Sequence, residues 1–269
     1  MRPLYSAFVF AAALSWITAA HAATPVSSCG ETVEDGVLEA DLDCSSSDGA
    51  AVFIADGGTL DLAGHELLSA GGSDRVGVEC ADNCSIVGNG GTLASSTPPD
   101  VDARTIAVVG GRVSITDTTI TGYFGAVYAA TVTIRSSSLA GNEHGVSGNR
   151  VRILSGTSIT TDGVGYSVNA RRVDIADSTL AGGNSVLARK TKIYRSSVTG
   201  TLSNGIVGNV YAEDSVIDAN CTGMGYDDYC GDIASPGKPK LVNSSCSHSL
   251  HSNSDGSSSG SWSVCSLDP

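Results

Sequence analysis

Thr131-Val132-Thr133-Ile134-Arg135-Ser136-Ser137-Ser138-Leu139 is answered nineteen residues later by Arg150-Val151-Arg152-Ile153-Leu154-Ser155-Gly156-Thr157-Ser158-Ile159. Each phrase holds an apolar residue, one outward residue, a second apolar residue, and a third five or six positions on. Further copies read Val113, Ile115, Ile120; Val173, Ile175, Leu180; and Val210, Ala212, Ile217, with weaker ones at Leu60, Leu62, Leu67, at Ile193, Val198, and at Leu241, Val242, Cys246. Anchored on the middle residue, the series runs Leu62, Ile86, Ile115, Ile134, Ile153, Ile175, Ile193, Ala212, Leu241, and its central spacings are 19, 19, 22, 18 and 19. A strand-forming unit of this length cannot bury its own apolar face and must stack on copies of itself. Alternation at period two turns the paired apolar residues to one side, and glycines at Gly122, Gly141, Gly182 and Gly200 are expected to relieve the bends. A second strand in most coils would point Val127, Val146, Val164, Val186 and Ile206 inward. The pattern predicts an all-β chain: a single-stranded, right-handed parallel β-helix of about nine coils with disulfide-stabilised ends. Spacings of 19 and 22 do not fit a hexapeptide solenoid.

Working outward, residues 1 to 22 have the layout of a cleavable export signal, with Arg2, an apolar run from Leu4 to Ala20, and Ala20-His21-Ala22 before Ala23. The domain is read as residues 23–269, with an N-terminal cap and first coil over 29–60 and a C-terminal cap over 244–269. No later stretch approaches the roughly 20 apolar residues a membrane helix requires, so the mature chain is expected to be secreted or periplasmic. All eight cysteines lie in this part, an even number in an oxidising compartment, which favours disulfides over zinc. Neighbour pairing would join Cys29 to Cys44, Cys80 to Cys84, Cys221 to Cys230 and Cys246 to Cys265, but eight cysteines allow 105 connectivities and the sequence does not choose among them.

Cys29-Gly30, Ala40-Asp41-Leu42-Asp43-Cys44 and Thr59-Leu60-Asp61-Leu62-Ala63-Gly64-His65, with the repeats up to about residue 217, resemble the bacterial right-handed parallel β-helix repeat family of the pectate-lyase-like superfamily. That resemblance implies a fold. It transfers no activity, because the superfamily includes lyases, hydrolases, epimerases and adhesins.

Charge is distributed unevenly. Residues 23 to 102 hold one basic residue, Arg75, against fifteen acids, whereas residues 112 to 195 hold ten Lys and Arg against five acids. The overall balance of −13 argues against general affinity for nucleic acid. The repeat register places the basic residues in columns. Three residues before the anchor stand Arg112, Thr131, Arg150, Arg172, Lys190 and Asn209; one before it, Ser114, Thr133, Arg152, Asp174, Lys192 and Tyr211; one after it, Thr116, Arg135, Leu154, Ala176, Tyr194 and Glu213. One sheet therefore carries a basic field ending in tyrosines. Arg112, Arg135, Arg150, Arg152, Arg172, Lys190 and Lys192 are candidate contacts for carboxylates or sulfates of an acidic polysaccharide, with Tyr194 and Tyr211 offering faces to its sugar rings. The competing reading has Asp174 and Asp177 neutralise the field as solvated pairs worth little.

Catalytic sets are incomplete. The resemblance would call for Asn-Thr-Asp, Asp-Asp, His-Gly and Arg-Ile-Lys in order for polygalacturonase-like hydrolysis; His144-Gly145 is present, Asp227-Asp228 follows it, and the other two are missing. The Asp-Pro-His-Asp motif of epimerase-like members is absent, and the basic sheet lacks an acid cluster for calcium. His144 reads as a turn residue at the solvent edge. Two insertions, Ala94 to Arg104 and Asn220 to Lys240, could wall a groove; Asp227, Asp228 and Asp232 in the second are a possible calcium set, though a Cys221–Cys230 loop explains it more simply. The serine-rich tail with Trp262 is expected to cap the last coil. The leading expectation is a monomeric, exported β-helix that contacts acidic polysaccharide and needs no cofactor. A lyase or hydrolase with a divergent site and an adhesive or structural scaffold stand as alternatives.

Overall fold

The computed structural model describes residues 23–72, 74–96, 104–162, 165–202, 204–220, 231–253 and 259–268, and of residues 141–143 the backbone only. The described chain is all β. Its strands form one continuous sheet wound into a right-handed parallel β-helix, and every strand pairing in it is parallel.

Each central coil has three faces, seen along the strand Ser138–Leu154. A short face comes first, then a groove face around Val146, then an anchor face that carries Val151 and Ile153. The anchor column stacks Leu60, Ile86, Ile115, Ile134, Ile153, Ile175, Ile193, Ala212 and Leu241. The sequence reading is corrected at one end, where the member of the column is Leu60 and not Leu62. The coil bends later there, at Ala63-Gly64 with φ of 51° and 84°, so Leu62 packs inside the corner, also fully buried.

Beside the anchors, Cys84, Val113, Val132, Val151, Val173, Thr191 and Val210 form a second column. Leu67, Leu93, Ile120, Leu139, Ile159, Leu180, Val198 and Ile217 form a third. On the groove face the column is Val78, Val108, Val127, Val146, Val168, Val186, Ile206 and Ile233. Val168 takes the place expected for Val164, which lies outside the described residues, because the coil of 22 residues lodges its extra length before this strand. All of these side chains are buried except Leu241, which is half-buried, and each buried Val, Leu or Ile contributes roughly 1.5 to 3 kcal/mol relative to exposure.

The sharp bends lie two residues after the anchors, where non-glycine residues take left-handed φ: Asp117 (50°), Ser136 (48°), Ser155 (57°), Asp177 (52°), Arg195 (44°), Asp214 (49°) and Asn243 (48°). Asp and Asn tolerate this region best among side-chain-bearing residues. Of the glycines expected to make bends, Gly122 does have φ of 78°, but Gly182 is required for space, since a Cβ there would meet Thr161 Oγ1 at 2.0 Å.

Just beyond each bend a hydroxyl is buried: Thr118, Ser137, Thr157, Ser178, Ser196 and Ser215. Ser137, Ser178, Ser196 and Ser215 donate to the carbonyl two residues back, at 2.7 to 2.8 Å. The oxygens of Ser137, Ser196 and Ser215 also accept a backbone N–H of the preceding coil, from Thr118 at 3.2 Å, Ser178 at 3.1 Å and Ser196 at 3.2 Å. The stack continues to Ser244, which accepts from Ser215 N–H.

The ends are closed covalently. Cys29–Cys44, Cys80–Cys84 and Cys246–Cys265 are disulfides, which selects neighbour pairing for three of the four candidates; Cys221 and Cys230 lie outside the described residues. Such bonds belong to an oxidising compartment, extracellular or periplasmic. Among the described residues no helix is long and apolar enough to cross a membrane. At the C-terminal end Trp262 Nε1 donates to Ser235 O at 3.0 Å, and the Asp268 carboxylate gathers the N–H groups of Ser249, Val264 and Cys265.

Candidate functional site

The corner between the groove face and the anchor face is concave. One hollow there, of about 990 Å³, is lined by Arg150, Arg172 and Lys190, by Arg171 and Arg189, and by Asn149, Asn169 and Asn209. Leu187, Val207, Ala170 and Ala188 add an apolar floor. A second hollow of about 450 Å³ shares Asn149, Asn169, Ala170 and Arg171 with the first. A third, of about 550 Å³, joins the second through Tyr128. The first two form one groove along the helix axis, crossing five successive rungs from Tyr128 to Val207, and the third opens off its end at Tyr128, on residues three to four places earlier in each coil. At about 4.8 Å per rung that is roughly 19 Å.

The cationic wall follows from the register. Arg150, Arg172, Lys190 and Asn209 are direct neighbours in one column. Asn149, Arg171 and Arg189 hold the corner one residue earlier in the same coils. All five cations are exposed. Two unit charges one rung apart repel by roughly 1 kcal/mol in water and several-fold more at lower effective dielectric, so the wall is held by the covalent and apolar scaffold against its own field.

Asp174 is the acid nearest this wall. It lies 3.6 Å from Arg172 and 4.0 Å from Arg152, and does not pair with Lys192, its neighbour in the column. Asp177 is engaged by Arg195 through two hydrogen bonds of 2.7 and 2.8 Å, which hold its carboxyl below the ordinary carboxylate range and push the guanidinium up. Among the described residues, Arg112, Arg135, Arg150, Arg171, Arg189, Lys190 and Lys192 have no carboxylate within 4.0 Å. The neutralised surface expected as the competing reading is therefore only partly present.

Of the nine sequence-derived contact residues, the structure brings Arg150, Arg172 and Lys190 into the groove. Arg112, Arg135, Arg152, Lys192, Tyr194 and Tyr211 occupy their expected columns on the anchor face but do not line it. Tyr194 and Tyr211 meet with ring centroids 5.8 Å apart, Lys240 Nζ stands 5.3 Å from the Tyr211 ring, and the Tyr211 hydroxyl donates to Glu213 at 2.8 Å, which raises the phenol's pKa. Arg171 and Arg189 were not singled out from the sequence. Their signal was the doublets Arg171-Arg172 and Arg189-Lys190, which recur at one place in successive coils.

His144 is not a turn residue. It sits half-buried on the groove face, paired in register with Gly125 and Tyr166, its ring stacked on Tyr166 at 6.5 Å and set edge-on to Phe124 at 5.7 Å. With Asp74, Arg104 and Tyr128 it lines the third hollow. Asp232, one of the proposed calcium ligands, is buried and engaged: its carboxylate accepts the N–H groups of Ala219, Ser247 and His248. Burial pushes its pKa up against those bonds. Asp227 and Asp228 lie outside the described residues. Comparison of the chain with family models, curated proteins and solved structures finds no match.

Proposed function

We propose that this chain is an exported β-helix, of the kind its sequence resembles, that binds an acidic polysaccharide along the groove. The observation that supports the reading most directly is the wall of Arg150, Arg171, Arg172, Arg189 and Lys190, which lines a concave surface with Asp174 as the acid paired to it. A polyanion with one charged unit per rung relieves the repulsion, and Arg offers bidentate contacts to carboxylate or sulfate. The apolar floor suits the C–H faces of sugar rings. Export through removal of residues 1–22 would bring the disulfides into the compartment that maintains them.

Retention on immobilised alginate or pectin tests this. Wild-type protein is expected to bind in low salt and elute as salt rises. Arg150→Ala/Arg189→Ala should elute earlier, with the slope of log affinity against log salt shallower by roughly 0.7 to 1 per charge removed, as counterion release requires. Neither residue has an ion pair among those described, so the variant should melt no lower than wild type. Equal retention of variant and wild type would remove the polysaccharide reading. Unsaturated or shortened products in the same incubations would turn it toward a lyase or hydrolase.

A further inference from the structure

The groove has two unlike ends. The cationic hollow spans the coils of Arg150, Arg172 and Lys190, whereas the hollow at the other end is walled by Val76, Ile106, Phe124, Tyr128 and His144, with Asp74 and Arg104 at its rim. Both meet in one coil, because His144 and Arg150 belong to the same strand. We propose that the aromatic hollow is a separate subsite that seats one pyranose ring, the terminal unit of the same acidic chain, by ring stacking and hydroxyl recognition. This rests on the polysaccharide reading above.

Three features carry it. A pyranose has an apolar C–H face and an edge of hydroxyls, and the hollow pairs aromatic faces with one carboxylate acceptor and one guanidinium donor, the mixture small polar ligands require. The imidazole is already oriented, stacked on Tyr166 and edge-on to Phe124, so little freedom remains to be lost on binding. The rung below His144 carries Gly125, and a Cβ there would meet the Tyr128 ring at 3.2 Å. A glycine at 125 therefore lets that ring lie across the rung and close one side of the hollow.

The test is titration of the full chain with galacturonate and alginate oligomers of two and six sugars, read by calorimetry and by the ring C–H signals of His144, identified by their loss in His144→Gln. A six-sugar chain at about one sugar per rung is long enough to run from Lys190, two rungs beyond the coil of His144, across the corner to the aromatic hollow. It should shift the His144 signals, whereas the two-sugar oligomer should bind at the cations and leave them unmoved. His144→Ala and, at the exposed rim, Arg104→Ala should each weaken the hexamer about five- to ten-fold and leave the dimer unchanged. Hexamer binding with unmoved His144 signals, or equal affinity in both variants, would overturn the subsite and leave the polysaccharide reading standing. Failure of the wild type to bind either oligomer would overturn both.

Discussion

Thr191 stands in a column where its neighbours on both sides are Val173 and Val210. It is 2% exposed, and its Oγ1 has no hydrogen-bond partner among the described residues. A hydroxyl desolvated without a partner costs about 1–3 kcal/mol. Thr191→Val has nearly the same shape and should raise stability by up to that amount, a rise of a few degrees in thermal midpoint for a chain of this size; an unchanged or lower midpoint would mean the hydroxyl is paired. Tyr123 shows the opposite solution. Its fully buried hydroxyl lies 2.8 Å from Ser69 Oγ and 2.9 Å from Ala94 O, and burial drives its pKa upward, so it remains a neutral phenol across the physiological range. Nothing in the apolar periodicity distinguishes these two residues, because period-two patterning records which side a residue faces and not whether its polar atom finds a partner.

At the scale of the element, the bend with its hydroxyl ladder does the joining between coils. Ser196→Ala would strip the acceptor from Ser178 N–H and the donor from Tyr194 O. The expected cost is about 1–3 kcal/mol, with faster amide exchange at Ser178. Ser196→Thr should restore both, since Thr118 and Thr157 fill the same place in other coils. Equal exchange at Ser178 in wild type and alanine variant would count against the ladder. The strands were legible because burial on one face imposes a strict alternation, and the columns of basic residues followed once Ile115, Ile134, Ile153, Ile175 and Ile193 were aligned. The bend was less legible. Asp117-Thr118, Ser136-Ser137, Asp177-Ser178 and Asp214-Ser215 do repeat, but polar pairs after a strand look like ordinary surface turn, and their burial comes only from stacking. The groove was half legible for a similar reason: Arg171 and Arg189 sit at a corner, where alternation no longer says which way a side chain points.

The whole molecule is a rod whose apolar interior must be sealed at its ends. At the C-terminal end the seal depends on Asp268. Burial alone would raise its pKa, but the donors Ser249, Cys265 and Val264 outweigh burial and hold it below the ordinary carboxylate value. A depressed carboxyl contributes stability that is present above its unfolded pKa and is lost as pH falls through the lower folded value. Asp232 runs the other way, its raised pKa favouring the fold at low pH and costing stability as pH climbs from the unfolded to the folded value. Acidification from about pH 5 toward pH 2 should therefore loosen the cap at 249–251 and 264–266 before the central coils, seen as early amide exchange there. Asp268→Asn should exchange fast in these segments at neutral pH already and lose that pH dependence.

The anchors Ile115, Ile134 and Ile153 repeat at an interval of 19 residues and pair in continuous register across the anchor face, from Thr131 to Arg135 with both neighbouring coils. Such regularity makes a coil an exchangeable part. Excision or duplication of one such unit in the encoding DNA would leave every remaining rung with an equivalent neighbour, so the groove can be lengthened or shortened in steps of one rung without inventing a new fold.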